Sequence, residues 1–176
     1  MESSENSLLK NIFDLEDLDW AALTALNNEH AQETSTLSET EFRNLATIAF
    51  YARGIASGRG ATGESVPAAF LIALDETASY PNPNFEYFQA RHPRFVYIDR
   101  IITAGFARRL GLARRLYADL FTLAREAGHT VVGCEVNFDP PNPASDAFHA
   151  SLGFVEAGRA QLKNGKTVRY LECILP

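Results

Sequence analysis

The chain has 176 residues, 46% of them hydrophobic, and a formal net charge of −6, the profile expected of a single soluble globular domain with a sizeable core. The acidic balance argues against a general nucleic-acid binder, whose phosphate affinity needs a basic surface, and no apolar run approaches the ~20 residues that span a bilayer. The first seven residues are polar and unlike a secretory leader, and Cys134 and Cys173 sit in strand-like runs as expected of buried free thiols in a reducing cytoplasm.

Residues 1–7 read as a loose tail and 8–176 as one domain. Leu8 to Phe13 reads as a first strand. Asp14 can then cap a helix with Leu15, Leu18, Ala22 and Leu26 on one face, stopping near Asn27-Asn28. His30 to Ser35 is a polar loop. Ser38-Glu39-Thr40-Glu41 spells a capping box for a second helix with Phe42, Leu45, Ala46 and Ala49 inward. Tyr51 to Ala56 and Val66 to Leu74 are strands, the latter apolar throughout as a central strand should be. The glycine-rich turn between them lacks the lysine and following helix of a phosphate-binding P-loop. Asp75 to Arg94, with Pro81, Pro83 and Pro93, reads as a long loop that carries Tyr80, Phe85, Tyr87 and Phe88, with one short helical turn as an option for them. Such a loop forms lids or binding walls, or is simply anchored to the core by its aromatics. Phe95 to Thr103 is a strand. It is followed by a turn and by an amphipathic helix with Leu110, Ala113, Leu116, Leu120, Leu123 and Ala127 on one face. Thr130 to Asn137 is a strand, and Asn142-Pro143 opens a helix that ends at Leu152-Gly153. Two last strands, Phe154 to Leu162 and Lys166 to Leu175, flank Asn164-Gly165, a strong hairpin signal.

The turn Arg108-Arg109-Leu110-Gly111-Leu112-Ala113 carries the clearest chemical hint. Arg108, Arg109, Arg114 and Arg115 crowd a helix start, with no acid before Asp119. That is the wrong sign for the helix dipole, by roughly 0.3–1 kcal/mol per charge. A bound polyanion such as a pyrophosphate reverses the sign, and a glycine there lets backbone N–H groups approach it. Arg114 and Arg115 fit a solvated face equally well.

Arg108-x-x-Gly111-x-Ala113 resembles the R/Q-x-x-G-x-G/A signature of the GNAT superfamily of acyl-CoA-dependent N-acyltransferases. Asn142-x-x-Ser145-x-x-x-His149-x-x-x-Gly153-Phe154 is similar to a second motif of that family. The order of elements matches the GNAT fold along nearly the whole chain. The resemblance implies an α/β (α+β) fold: a central mixed, mostly antiparallel sheet of about seven strands flanked by four helices. It implies a cytoplasmic N-acetyltransferase that uses acetyl-CoA and no metal, and transfers the acetyl group to a primary amine by direct attack in a ternary complex. The expected acceptor is a small molecule, with a protein amine as the alternative. No nucleic acid or membrane partner is implied. Dimers are common in the family, often through the last two strands, so a homodimer is an implied assembly. A non-catalytic acyl-CoA-binding or sensor domain is the rival from a different class.

The resemblance also implies roles for residues. Backbone N–H groups of Arg109, Leu110, Gly111, Leu112 and Ala113, beside Arg108, would hold the pyrophosphate. Ile101, Ile102 and Thr103 would pair with the pantetheine arm, with the N–H near Ile101 as the oxyanion donor, and this strand would splay from the Thr130–Asn137 strand. Asn142 and Ser145 would contact the cofactor, Asn142 doubling as a helix cap. An amine of pKa ~10.4 is neutral only about once in 10³ at pH 7, so a base is needed. Asp99 matches a position where several members carry a glutamate base; pairing with Arg100 or Arg53 is the open alternative. His149 replaces the usual tyrosine that protonates the leaving thiolate; a helix-surface histidine lining the cofactor is its alternative. His30, Gln32, Glu33 and Ser35 lie in the loop that borders the acceptor in the family.

Overall fold

The computed structural model describes residues 11–59 and 65–176. Its strands are β1 (Phe13–Asp14), β2 (Tyr51–Arg59), β3 (Ser65–Asp75), β4 (Val96–Thr103), β5 (Val131–Asp139), β6 (Val155–Gln161) and β7 (Thr167–Ile174). The helices are α1 (Trp20–Glu29), α2 (Glu39–Thr47), α3 (Pro83–Gln89), α4 (Leu112–Glu126) and α5 (Pro143–Ser151), with short 3-10 turns at Leu15–Asp17 and Gly105–Ala107. The strands form a seven-stranded sheet in the order β1-β2-β3-β4-β5-β7-β6. The β1/β2, β2/β3, β5/β7 and β6/β7 pairs are antiparallel and β4/β5 is parallel. This is the mixed, mostly antiparallel sheet expected, with five helices rather than four among the described residues.

The additional helix is α3, inside the stretch expected to be a long loop with at most one short helical turn. Asn82 caps it, accepting from the N–H groups of Asn84 and Phe85, and Pro83 sits in its first turn, where a missing N–H costs nothing. Two further boundaries differ. The first helix opens at Asp19, whose carboxylate accepts from Ala22 N–H, because a 3-10 turn occupies Leu15–Asp17. The expected strand start at Leu8 lies outside the described residues. The capping box at Ser38 and Glu41 is present in both halves.

The chain groups into two compact units. One comprises the chain up to Ala73 with Arg100–Leu120, the other Leu74–Asp99 with Phe121–Pro176. In the first, Leu15 and Leu18 close over β2 at Gly54, where a Cβ would stand 3.0 Å from both Ala69 O and Leu18 Cδ1. Tyr51 donates to Asp119 (2.9 Å), whose carboxylate also takes Arg53. The β3 residues from Ala68 to Ala73 are fully buried. In the second, side chains of α3 come close to glycines of the sheet. A Cβ at Gly133 would meet the Phe88 ring at 2.3 Å, and one at Gly158 would meet the Tyr87 hydroxyl at 2.3 Å. Tyr87 stacks on Tyr170 with centroids 3.7 Å apart, and Phe85 packs on Phe95 and Tyr97. Cys134 and Cys173 are buried free thiols.

No helix among the described residues is long and apolar enough to cross a membrane.

Candidate active site

In the first unit β4 ends at Thr103 and α4 begins at Leu112, so the expected anion turn lies between a strand and a helix. Two residues in it are left-handed: Arg109 at φ 65° and Gly111 at φ 73°. That backbone is costly for arginine, by roughly 1–2 kcal/mol, and free for glycine. No protein atom lies within 4 Å of a Cβ built on Gly111. The glycine is thus favoured by backbone conformation, and the space in front of it is open to a ligand. Arg108, Arg109, Leu110 and Gly111 are exposed, Leu112 is buried and Ala113 half-buried. Leu110 was expected on the inward face of α4. It precedes the helix and is 55% exposed. No acid occupies the first turn of α4.

Along β4 successive side chains point to opposite faces. Asp99, Ile101 and Thr103 are half-buried while Arg100 and Ile102 are buried. Arg100 donates to Asn27 Oδ1 at 2.7 Å and to Ser35 Oγ at 3.5 Å. Of the expected acceptor-loop residues, His30 is half-buried, and Gln32, Glu33 and Ser35 are exposed. His30 caps α1, with Nδ1 3.1 Å from Leu26 O and Nε2 3.4 Å from Arg108 Nη2.

In the second unit the parallel ladder covers Val96–Ile98 against Val132–Cys134. Asp99 and Glu135 come next on the two strands and, by alternation, on the same face. Asp99 Oδ1 accepts from the Tyr80 hydroxyl at 2.7 Å, and Glu135 Oε2 accepts from the Tyr97 hydroxyl at 2.8 Å. Arg53, a partner considered for Asp99, binds Asp14 and Asp119. Burial, and then the negative charge of Asp99, push the Glu135 carboxyl up to about 8, against hydrogen bonds from Tyr97 and Asn84 that favour its ionised form. Burial first, and then the Glu135 and Asp99 charges, likewise push the Tyr97 phenol up. Asn84, on α3, accepts in turn from Tyr170 at 3.0 Å. Two acids at corresponding positions of neighbouring strands, one holding its proton near neutral pH, form an arrangement suited to proton transfer.

Asn142 Oδ1 accepts from Ser145 N–H at 3.2 Å, so its capping role is real. Asn142 and Ser145 are half-buried. His149 is not a surface residue: it is 4% exposed, edge-on to Phe148 and Phe154. Its Nδ1 stands 2.8 Å from Ser145 O. A carbonyl can only accept, so that nitrogen carries the ring proton. Burial lowers the pKa of His149, which makes the ring neutral at pH 7.

Glu135, Tyr97 and Tyr80 are the residues that sequence reasoning missed. One signal was available: Glu135 is a lone acid in the otherwise apolar run Val131-Val132-Gly133-Cys134-Glu135-Val136.

A family model described as "Acetyltransferase (GNAT) family" matches residues 67–154, half of the chain. Among solved structures, the ribosomal-protein-alanine N-acetyltransferase of Brucella melitensis aligns at TM-score 0.63 and 22% identity over 94% of this chain and 99% of its own. The ribosomal-protein-S18-alanine N-acetyltransferase of Escherichia coli aligns at TM-score 0.63 and 20% identity over 94% and 93%. The yncA protein of Salmonella typhimurium, solved with its cofactor acetyl-CoA, aligns at TM-score 0.64 and 20% identity over 94% of each chain. At these identities the likeness is one of fold. No curated protein sequence matches the chain.

Proposed function

The chain belongs to the GNAT acetyltransferase family and is an acyltransferase that works with acetyl-CoA, and from that premise we propose that it acetylates a primary amine of a small molecule by direct attack within a ternary complex. The observation that carries the reading is the turn Arg108–Ala113, left-handed at Arg109 and Gly111 and open in front of Gly111. Successive N–H groups in such a turn form an anion nest, and the start of α4 adds its dipole.

In this reading the N–H groups of Arg109 to Ala113 take the pyrophosphate, with Arg108 beside them. The β4 backbone at Ile101, Ile102 and Thr103 pairs with the pantetheine arm, and Ile101 N–H receives the oxyanion. Asn142 and Ser145 contribute further cofactor contacts. The amine nitrogen forms a bond to the thioester carbon, the C–S bond breaks, and the amine proton passes to Glu135. A base held at about 8 is well matched to this work near neutral pH. Asp99 keeps Glu135 there and relays through Tyr80. The ring proton of His149 is held by Ser145 O, so in this reading the residue lines the cofactor through its acceptor nitrogen and the thiolate departs as an anion. His30, Gln32, Glu33 and Ser35 border the acceptor.

The test is a calorimetric titration with acetyl-CoA, followed by an amine panel that includes small amines and peptide N-termini, scored by free thiol release. Release with small amines supports the reading; release only with peptides transfers it to a protein acceptor. Binding without any release leaves an acyl-CoA sensor.

A further inference from the structure

Two arginines of the segment that runs from β4 to α4 reach back to the loop between α1 and α2. Arg100, 5% exposed, donates to Asn27 in the last turn of α1 and to Ser35 within that loop. Arg108 meets His30, the cap of α1, where the loop begins. The polarity of the second contact is fixed. His30 Nδ1 faces the Leu26 carbonyl, so its proton is there and Nε2 offers a lone pair. Arg108 can only donate.

The loop between these ties is stapled to itself. Asn27 donates to Ser35 O, and Asn28 exchanges two hydrogen bonds with the Leu37 backbone. Glu33 N–H, Thr34 N–H and the Thr34 hydroxyl all bond His30 O. These hydrogen bonds join His30, Ser35 and Leu37 in one network through Asn27, Asn28 and Thr34.

Resting on the cofactor reading above, we propose that His30 is a positioning residue that latches the α1–α2 loop to the Arg108 turn, so that acetyl-CoA binding sets the loop for the acceptor. Arg108 has five N–H donors in a planar fork. It can hold a phosphate oxygen through one edge while Nη2 keeps His30. An anion that fixes the guanidinium then fixes the imidazole and the loop behind it. The contact is long at 3.4 Å, leaving room for it to tighten when the arginine is immobilised.

The experiment is hydrogen exchange of the Glu33, Thr34 and Leu37 amides with and without saturating coenzyme A, in the wild type and in His30→Ala. Calorimetry of the same samples reports whether coenzyme A is bound. Exchange at all three amides should slow several-fold on binding in the wild type and stay unchanged in His30→Ala. His30→Gln, which keeps an acceptor for Arg108, should restore part of the effect. A wild type that binds coenzyme A with no change at these amides overturns the latch alone, as does His30→Ala responding like the wild type. A wild type that binds no coenzyme A overturns the cofactor reading and the latch with it.

Discussion

The Arg108–Ala113 turn and the Asp99/Glu135 pair are opposites in construction. The turn is cationic, exposed and made of backbone, and what its positions demand is a permitted φ. The carboxylate pair is anionic, half-buried and made of side chains, and its properties come from what surrounds it: Tyr80, Tyr97, Asn84 and the charge of the other acid. A backbone site can be written in a few adjacent residues. A side-chain site of this kind is assembled from α3, β4 and β5 and has no compact signature.

The difference is sharpest under mutation. Glu135→Gln should have the largest effect, cutting kcat by ~10²–10⁴ as expected for loss of a general base. Glu135 must be ionised to take a proton, so wild-type kcat/KM should climb with pH and level off above about 8, and the mutant should lose that rise. The same change should stabilise the fold at alkaline pH. Glu135 keeps its proton in the folded protein up to about 8, against an ordinary value of 4.5. The native state therefore binds more protons between those values, and its stability falls as pH rises through that window. Calorimetric Tm should favour the mutant increasingly from pH 5 to pH 8; equal slopes for both proteins would break the pair as described.

Gly111→Glu comes next. It adds roughly 1–2 kcal/mol of left-handed strain and a negative charge where an anion should sit, so acetyl-CoA affinity should fall on the order of 100-fold. The circular dichroism of the fold should be retained.

Asp99→Asn should act through Glu135. The midpoint of the kcat/KM rise should move down, because a charge holding it up is gone, with a loss of maximal rate below ~10-fold. Complete loss of turnover with an unmoved midpoint would make Asp99 itself the base. Gly111→Ala should be the mildest. It meets nothing within 4 Å, so its cost is about 1 kcal/mol of backbone strain, read as a Tm drop of a few degrees.

The fold was largely legible because its local signals are chemical. The capping box at Ser38, the Asn-Pro start at Asn142 and the Asn164-Gly165 hairpin all stand where expected. Helix α3 is legible only as one short turn within a long loop. Asn82-Pro83 is the same cap-and-first-turn pair as Asn142-Pro143, but Pro81 and Pro93 around it disguise a helix as a loop. Tertiary packing decides it: Phe88 and Tyr87 find seats at Gly133 and Gly158, and those glycines lie far along the chain. The candidate site divides the same way. The Arg/Gly turn and the Asn142 helix could be read directly. Glu135 could not, since an acid in an apolar strand acquires meaning only beside Asp99, Tyr97 and Asn84.

The turn before α4 has one more consequence. Arg109 sits in a backbone conformation that disfavours it, and the first turn of the helix holds no acid of its own. An anionic ligand leaves that backbone cost in place but gains from the positive charge gathered at the turn. By mass action, ligand then shields the chain from opening and from proteolysis. The lifetime of this protein in a cell should thus follow the supply of its coenzyme: abundant when coenzyme is plentiful, and removed sooner when it runs short.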